Sequence, residues 1–318
     1  MKKIVALTAN PSFVKYEHET LSALDGVEFV ISPAETEDEL CEAVRDADVV
    51  IFTAAKLNKK VIDSTEHCGL FIRCGIGYDT VDIAAARERG IYVCNSPNYG
   101  VIDVAEHALS LMFATAKRLA AMNDRIRDGL WNGGKGASHR LDGKTVGFAG
   151  FGNIGRNVCK RTNACGMKAI VYDPFVSAEL LEDYNATAVS FDELLAESDF
   201  ITLHMPLSDA THHMFNAEAF AKMKPSAILI NTARGGLVDE AALIDALLSE
   251  TIAGAGLDVF EDEKGGMDKR MLEAKNVVLT PHVAWNTPEA VVALHKEVAD
   301  NIIRFLGGER PVSIVNGL

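Results

Sequence analysis

Three short segments in the second half of the chain, NTARGG, DVFEDE and LTPH, carry polar residues suited to chemistry on a carbonyl group. The guanidinium of Arg234 can hold a carboxylate in a fixed bidentate orientation. The imidazole of His282 can exchange a proton near neutral pH, and a carboxylate at its far nitrogen would stabilise the protonated ring. Glu263 is the candidate for that carboxylate, with Glu261 and Asp262 as neighbouring acids. These residue types predict hydride transfer between a nicotinamide and a 2-oxo acid, with the histidine as proton donor.

A glycine-rich segment, GFGNIG at 150–155, directly follows the apolar run TVGFA and opens a helical stretch. Gly150, Gly152 and Gly155 permit a tight turn, close approach of a pyrophosphate and close packing of the helix. The next apolar run, AIVYD, ends at Asp173, whose carboxylate can accept hydrogen bonds from ribose hydroxyls and repel the extra phosphate of NADP. The segment therefore predicts an NAD site. The alternative is that Asp173 only caps the end of a strand.

Apolar runs alternate with helical patterns along most of the chain, which is typical of parallel sheets with crossover helices. In the first hundred residues, the predicted strands are IVALT, VVIFT, FIR and IYVC. In the second part, six strands are predicted at TVGFA, AIVYD, FITLH, AILIN, AGAGLDVF and NVVLT. The predicted fold class is therefore α/β, with a doubly wound nucleotide-binding sheet in the second part.

Two longer helices are predicted outside this alternation. The segment 103–129 contains no proline and has apolar residues at helical spacing, which predicts one long helix. From Thr287 a second helical pattern runs to Gly307, and we expect it to return to the first part. The chain should then form a discontinuous domain of residues 1–99 and 286–318 and a continuous nucleotide-binding domain of residues 100–285.

The composition narrows the class of protein. A chain of 318 residues is long enough for two domains of ordinary size. The formal net charge of −14 opposes binding to nucleic acid or to an anionic membrane surface. No apolar run approaches the roughly 20 residues needed to cross a bilayer, so neither a membrane span nor a signal peptide is expected. The six cysteines form no CxxC pair and no cluster with histidine, which predicts free thiols, no metal site and a cytoplasmic location.

The motifs RCGIGYDTVD, GFGNIG, INTARGGLVDE, AGLDVFEDE and LTPHVAW occur in this order. With them, the chain resembles the D-isomer-specific 2-hydroxyacid dehydrogenases over essentially its whole length. The resemblance implies that Arg234, Glu263 and His282 form the active site of an NAD-dependent enzyme acting on a small 2-hydroxy or 2-oxo acid, such as glyoxylate or hydroxypyruvate. It also implies a Rossmann cofactor domain, a smaller flavodoxin-like substrate domain, and a homodimer built on the helix near 101–121.

The resemblance also names the residues that would contact ligands. Backbone N–H groups at Gly75, Ile76 and Gly77 would bind the substrate carboxylate, and Arg73 and Trp285 match substrate-pocket positions. The residues that would contact NAD, besides the three glycines, are Asn153, Ile154, Asp173, His204, Pro206, Thr211, Thr232, Ala233, Arg234, Asp258 and His282.

Simpler interpretations exist for several of these positions. Gly75 and Gly77 could serve only as a turn between strand and helix, and Trp285 could serve only as a packed aromatic side chain. The remaining histidines, including His107, His139, His212, His213 and His295, are predicted to be structural or surface groups.

Two alternative functions stay open. The first is a D-3-phosphoglycerate dehydrogenase, in which Lys56 or Arg73 would supply a cation for the phosphate, although the short segment after His282 leaves no room for an appended regulatory domain. The second belongs to another class of protein. The segments RCGIGYD and TPHVAW look most similar to the branch that includes the C-terminal binding proteins, which are co-repressors with a dehydrogenase fold, and this resemblance implies an NAD-sensing binding protein as the alternative.

Overall fold

The structure, a computed structural model, describes residues 1–133, 138–263 and 265–318. The chain divides into two compact units, Met1–Gly100 with Asn286–Leu318, and Val101–Trp285. Within the described ranges, no helix has both the length and the apolar character that crossing a bilayer requires. Each unit contains one parallel sheet with helices, so the predicted α/β class is confirmed.

The first unit is built on a five-stranded sheet in the order β2-β1-β3-β4-β5. Its strands are β1 (Lys2–Leu7), β2 (Val27–Ser32), β3 (Val49–Phe52), β4 (Leu70–Arg73) and β5 (Tyr92–Cys94). All neighbouring pairs are parallel, and this is the flavodoxin-like order. Strand β2 was not predicted. It lies at the sheet edge and its residues are only half-buried, so its apolar pattern is weaker than that of the fully buried β3.

Five helices belong to the first unit. They are α1 (Lys15–Leu21), α2 (Glu37–Val44), α3 (Lys59–Asp63), α4 (Ile83–Glu88) and α12 (Pro288–Leu306). Helix α12 begins after Thr287, whose hydroxyl accepts a hydrogen bond from Ala290 N–H at 3.1 Å, and it ends before Gly307. The predicted last helix is therefore confirmed. It packs against α1 and β4 of this unit.

The second unit is built on a seven-stranded parallel sheet in the order β12-β11-β10-β9-β6-β7-β8. Its strands are β6 (Thr145–Ala149), β7 (Lys168–Tyr172), β8 (Ala186–Ala188), β9 (Phe200–Leu203), β10 (Ile228–Asn231), β11 (Gly254–Leu257) and β12 (Val277–Leu279). This is the doubly wound Rossmann order with one strand added beside the sixth. The six predicted strands are all present. Strand β8 was not predicted, because it is a three-residue edge strand with little buried surface.

In the part of the second unit that the structure describes, seven α-helices accompany this sheet. They are α5 (Val101–Lys117), α6 (Leu119–Arg127), α7 (Asn153–Ala164), α8 (Ala178–Glu182), α9 (Phe191–Glu197), α10 (Ala217–Lys222) and α11 (Glu240–Leu248). Helix α5 packs against β10, β11 and β12. Strands β9, β10 and β11 are completely buried, as expected for strands covered by helices on both faces.

The prediction of one long helix over 103–129 is wrong, because the helix breaks at Arg118. This residue has a φ of +55°, in the left-handed region. The break has a tertiary cause. The Ser138 hydroxyl donates to the Lys117 carbonyl at 3.2 Å, and the His139 N–H donates to the Ala116 carbonyl at 2.8 Å. These donors satisfy carbonyls at the end of α5, so a distant segment ends a helix that its own sequence would continue.

Candidate active site

The predicted site residues of the second unit follow the carboxyl ends of its strands. Gly150 follows β6, His204 follows β9, Thr232 follows β10 and Asp258 follows β11. Since all these strands are parallel, their carboxyl ends lie at the same edge of the sheet. In doubly wound sheets, ligands bind outside this edge, where the strand order reverses. The reversal here lies between β6 and β9, next to the glycine-rich turn.

The glycine-rich turn is packed so tightly that side chains are excluded at two of its three glycines. Gly150 has a φ of +91°, and a Cβ there would lie 2.7 Å from the backbone of His204 and Met205. A Cβ at Gly155 would lie 2.8 Å from the Gly150 carbonyl oxygen. At Gly152, by contrast, no described heavy atom lies within 4 Å of an added Cβ. The turn is therefore packed closely against the sheet but is open at Gly152, where a ligand can approach the protein backbone.

The N-terminus of α7 offers donors to an anion. Gly152 is the N-cap residue of this 12-residue helix, and no described side chain caps it. The first N–H groups of a helix lack helical partners and carry a partial positive charge, which favours a phosphate. Thr232 directly follows β10, and its hydroxyl is buried and has no hydrogen-bond partner among the described residues. These features fit a bound dinucleotide.

Asp173 lies directly after β7 and contacts the glycine-rich turn. Its carboxylate accepts hydrogen bonds from the N–H of Phe151 at 2.7 Å and from the N–H of Phe175 at 2.9 Å. The simpler interpretation, in which this residue organises the backbone at a strand end, is thus part of its role. Each carboxylate oxygen can accept more than one hydrogen bond, so a ribose contact remains compatible with these two bonds.

His204 and Thr211 shape the loop that follows β9. The His204 N–H donates to the Ala149 carbonyl at 2.8 Å, and its Nε2 lies 2.9 Å from the Thr202 hydroxyl. Burial lowers the pKa of His204 to about 3, so this imidazole is neutral near pH 7. The Thr211 hydroxyl donates to the Pro206 carbonyl at 2.7 Å and closes the loop. His204 therefore supports the glycine-rich turn through its backbone rather than through charge.

The segment after β10 holds Arg234 in place through a residue that the sequence analysis did not single out. The buried amide of Asn231 donates to the Arg234 carbonyl at 2.8 Å and accepts from the Ala233 N–H at 3.0 Å. The Arg234 guanidinium donates to the Ala233 carbonyl at 2.7 Å. Asn231 could have been recognised from its position, because a buried asparagine at the end of a strand must find partners for its amide.

Gly235 connects this segment to the loop after β11. A Cβ at Gly235 would lie 2.0 Å from the carbonyl group of Phe260 and 2.5 Å from the nitrogen of Glu261. The two backbones are therefore in direct contact, and only glycine permits it. The segment that carries Arg234 is thus in direct backbone contact with the start of the acidic loop of residues 261–263.

His282 and Glu263 form a direct pair. Nδ1 of the imidazole lies 2.7 Å from Oε2 of the carboxylate, and each side chain is 40% exposed. Since a carboxylate accepts, the Nδ1 proton is donated to Glu263, which leaves Nε2 for proton exchange with another group. The neighbouring acids have other partners. Glu261 contacts His213, and the Asp262 carboxylate accepts from the Gly265 N–H at 2.7 Å.

Asp258 organises the turn that carries His282. Its fully buried carboxylate accepts hydrogen bonds from the N–H groups of Val283 and Ala284, each at 2.9 Å, and from the Thr280 hydroxyl at 2.5 Å. The His282 N–H donates to the Asp258 carbonyl at 2.8 Å. His282 has a φ of +53°, a conformation that costs a non-glycine residue roughly 1–2 kcal/mol. The buried carboxylate therefore holds the turn in a strained conformation.

His107 of α5 also reaches this network, although it was predicted to be a structural or surface group. Its Nε2 lies 2.9 Å from the Thr280 hydroxyl oxygen and 3.6 Å from Oδ1 of Asp258. Because the Thr280 proton is donated to Asp258, the His107 Nε2–H must be the donor to Thr280. No pattern within the helix could have revealed this partner, because it lies 173 positions away.

The remaining predicted residues of the second unit have these surroundings. Ile154, in the first turn of α7, is half-buried against the core, and Ala233 is fixed by the Asn231 amide. Trp285 is half-buried and is the last residue of this unit.

In the first unit, the predicted substrate-binding residues lie at the end of β4 and in the turn that follows it. The Arg73 guanidinium lies directly on Gly75, where an added Cβ would be 1.7 Å from Nη1. The Gly75 N–H donates to the Arg73 carbonyl at 3.0 Å, and the Asn95 amide donates to the Ile76 carbonyl at 2.7 Å. Gly75 has a φ of +145°, so the interpretation as a glycine-dependent turn holds for it. Asn95, which fastens this turn, was not singled out from the sequence.

Comparison with known proteins places the chain in a family. Residues 109–284 match the family model described as D-isomer specific 2-hydroxyacid dehydrogenase, NAD binding domain. The D-3-phosphoglycerate dehydrogenase of Archaeoglobus fulgidus is 37% identical over 309 residues, which cover 97% of this chain and 58% of that protein. The hydroxypyruvate reductase of Thermotoga maritima is 41% identical over 273 residues, covering 85% of this chain and 88% of that protein.

A solved structure agrees with these similarities. The crystal structure of a glyoxylate reductase from Paecilomyes thermophila superposes with a TM-score of 0.91 and 30% sequence identity, covering 99% of this chain and 98% of that one. The chain spans little more than half the length of the phosphoglycerate dehydrogenase that it matches. The resemblance predicted from the motifs is confirmed: this chain belongs to the D-isomer specific 2-hydroxyacid dehydrogenase family and contains its NAD-binding domain.

Proposed function

We propose that this protein is an NAD-dependent dehydrogenase that interconverts a small D-2-hydroxy acid and its 2-oxo acid. The observation that carries the proposal is the 2.7 Å pair of His282 and Glu263, which lies on the ligand-binding edge of an NAD-binding sheet. A relative named hydroxypyruvate reductase, matched over 88% of its own length, supports the same substrate class. NAD, when bound, supplies or accepts the hydride.

Arg234 binds and orients the substrate in this proposal. A guanidinium presents two parallel N–H donors to a carboxylate, so it fixes the position of the acid and polarises the neighbouring carbonyl. The Asn231 amide holds the Arg234 backbone, and contact at Gly235 sets that backbone against the acidic loop. These backbone contacts fix the point from which the Arg234 side chain extends.

His282 donates a proton to the carbonyl oxygen during reduction and removes it during oxidation. Glu263 fixes the ring with Nδ1 protonated and stabilises the imidazolium that exists before proton donation. Both side chains are partly exposed, so a proton can return from solvent after turnover.

The cofactor would be held by the turn at Gly152, the N-terminus of α7, Asp173 and Thr232. The turn and helix provide N–H groups for the pyrophosphate, and Asp173 provides acceptors for the ribose hydroxyls. The other contacts named from the sequence, including the 73–77 turn and Trp285 as substrate contacts and Asp258 as a nicotinamide contact, stay predictions.

The proposed function is tested with a panel of 2-oxo acids. Glyoxylate, hydroxypyruvate, 3-phosphohydroxypyruvate and pyruvate are each offered with NADH and with NADPH, and kcat/KM is measured. We expect turnover of at least one small acid with NADH, and the preferred acid then separates a glyoxylate or hydroxypyruvate reductase from a phosphoglycerate dehydrogenase. Binding of NADH without turnover of any acid would overturn the proposal and favour an NAD-sensing binding protein.

Replacing Asp173 with asparagine should weaken the preference for NAD. Asparagine keeps one oxygen for the Phe151 N–H but removes the charge that ribose hydroxyls use and that a 2′-phosphate would meet. A charge-assisted hydrogen bond contributes roughly 1.5–3 kcal/mol, so the ratio of kcat/KM for NADH over NADPH should fall about 10- to 100-fold. Asp183→Asn, at the exposed end of α8, is the matched control. An unchanged ratio in Asp173→Asn would mean that this residue serves only the backbone.

Replacing His107 with phenylalanine should lower kcat without preventing cofactor binding. Phenylalanine cannot donate to Thr280, so the Asp258 network that holds the His282 turn loses an anchor. A small misplacement of a reacting group costs up to about 100-fold in rate, and we expect a fall of about tenfold or more in kcat. His107→Gln, which keeps an N–H donor, should recover part of the rate. Equal kcat in both variants and the wild type would show that His107 only packs.

A homodimer and a cytoplasmic location are the remaining parts of the proposal. Helix α6 has no buried residue, and Leu119, Ile126 and Trp131 near it are 54%, 53% and 90% exposed, so a second copy of the chain would cover this apolar surface. The reduced cysteines are compatible with a reducing compartment. Sedimentation should give twice the chain mass, and Ile126→Glu should give a monomer while the exposed control Leu272→Glu should not. A wild-type monomer would contradict the dimer.

A further inference from the structure

Two adjacent histidines in the loop between β9 and α10 lie with their side chains next to each other. The rings of His212 and His213 stack with their centroids 3.9 Å apart and an angle of 22° between their planes. His213 has a φ of +50°, in the left-handed region, so the backbone turns sharply between them. The His213 N–H donates to the Gly236 carbonyl at 2.9 Å, which holds the loop on the segment after Arg234. The pair is thus fixed by backbone contacts.

A carboxylate completes the cluster. The Nε2 atom of His213 contacts Oε1 of Glu261, and one potential ligand atom from each of His212, His213 and Glu261 lies within 4.8 Å of the others. The other carboxylate oxygen of Glu261 accepts from the Glu240 N–H at 3.4 Å, and the Glu261 N–H donates to the Glu240 carboxylate at 3.1 Å. One oxygen is therefore anchored, while the other faces the imidazoles.

The chemistry of these three groups suits a divalent transition metal. Two imidazole nitrogens and one carboxylate oxygen are a known type of zinc ligand set, with Zn–N and Zn–O distances of about 2.0–2.2 Å. Tetrahedral ligand atoms at such distances lie about 3.4 Å apart, and the three candidate ligand atoms here lie within 4.8 Å of one another. The His213 and Glu261 side chains are 36% and 34% exposed, so a hydrated ion can reach them. The net charge of −14 also favours a cation.

We propose that His212, His213 and Glu261 bind a divalent transition-metal ion such as Zn²⁺, with the fourth position open to water. From the sequence, no metal site was expected, and both histidines were predicted to be structural or surface groups. Two neighbouring histidines do not by themselves predict a metal site, and the third candidate ligand, Glu261, lies 48 positions after His213. The site is separate from the pair formed by His282 and Glu263, and its binding of metal does not depend on the proposed function.

The proposal is tested by titrating the full chain, first stripped with EDTA, with ZnCl₂ in an isothermal calorimeter. We expect one ion per chain, with at least tenfold weaker binding in His212→Ala and in Glu261→Gln. His67→Ala, which changes an exposed histidine beside Asp48, is the matched control and should bind as the wild type does. ZnCl₂ should also raise the melting temperature of the wild type and of the control, but not of His212→Ala.

A further variant separates this site from the nearest alternative. His282→Gln removes the other described histidine that pairs with a carboxylate of the same acidic loop, and it should still bind one Zn²⁺. Loss of binding in His282→Gln would overturn the proposal, because the metal would then belong to the His282–Glu263 pair. Unchanged binding in both His212→Ala and Glu261→Gln would point to thiols or other groups and would overturn it too. A wild-type chain that shows no saturable binding of Zn²⁺ would also overturn the proposal.

Discussion

Replacing His282 with alanine should lower kcat by about 10²- to 10⁴-fold, the usual contribution of a positioned acid or base. KM for the 2-oxo acid should change much less, because the imidazole acts mainly on the proton that moves in the transition state. The expected loss follows from geometry. Nδ1 is engaged by Glu263 at 2.7 Å, so Nε2 is the nitrogen left for exchange, and alanine supplies neither.

Two further variants give the His282 prediction its controls. Glu263→Gln keeps an oxygen that can accept from Nδ1 but removes the negative charge, so it should lower kcat less than His282→Ala does. His67→Ala changes an exposed histidine of the first unit and should leave kcat unchanged. Steady-state kinetics with NADH, together with a melting curve for each variant, provide the measurement. A folded His282→Ala protein with near-normal kcat would refute the assigned proton donor.

Replacing Arg234 with alanine should damage both binding and turnover. Two charge-assisted hydrogen bonds to the substrate carboxylate, each worth roughly 1.5–3 kcal/mol, would be lost. We therefore expect kcat/KM to fall about 10²- to 10⁴-fold, with a sharp rise in KM. This rise distinguishes Arg234→Ala from His282→Ala. Arg234→Lys should recover little, because an ammonium group cannot present the two parallel donors of a guanidinium.

The control for Arg234 is Arg270→Ala. Arg270 is exposed and forms ion pairs with Asp268 at 2.9 Å and Asp245 at 3.1 Å, so its loss removes an arginine without touching the proposed site. It should leave kcat/KM unchanged. Affinity for NADH, measured by fluorescence titration, should fall far less than kcat/KM in Arg234→Ala. A KM for the 2-oxo acid that stays at the wild-type value in Arg234→Ala would contradict its role in substrate binding.

The sequence was sufficient for features that depend on local chemistry. Apolar runs predicted all the central strands because strands covered on both faces must be apolar throughout. The glycine-rich turn was predictable because only glycine adopts the φ of +91° at Gly150 and tolerates backbone atoms 2.7 Å from its missing Cβ. The start of α12 at Thr287 followed from capping, which also involves only near neighbours. The edge strands β2 and β8 were not predicted, because their residues are only partly buried and their pattern of apolar residues is weaker.

The acidic loop shows where such reasoning stops. Glu261, Asp262 and Glu263 are adjacent acids of similar chemistry, and Glu263 was singled out through the family resemblance, because side-chain chemistry alone does not say which acid meets the histidine. In the folded chain, Glu263 lies at His282, Glu261 at His213, and Asp262 at the backbone of its own loop. The partners of Glu261 and Glu263 lie 48 and 19 positions away, so the distinction between these two acids depends on how loops pack.

The local sequence thus established the central strands, the glycine-rich turn and the chemical types of the candidate site, because strand patterns, φ preferences and side-chain chemistry are properties of neighbouring residues. Packing decided the rest. It broke the helix at Arg118, brought His107 to the Asp258 network and placed His212 and His213 beside Glu261. Each of these depends on hydrogen bonds or contacts between segments far apart in the chain, and such pairings acquire their energy only when the whole unit has folded.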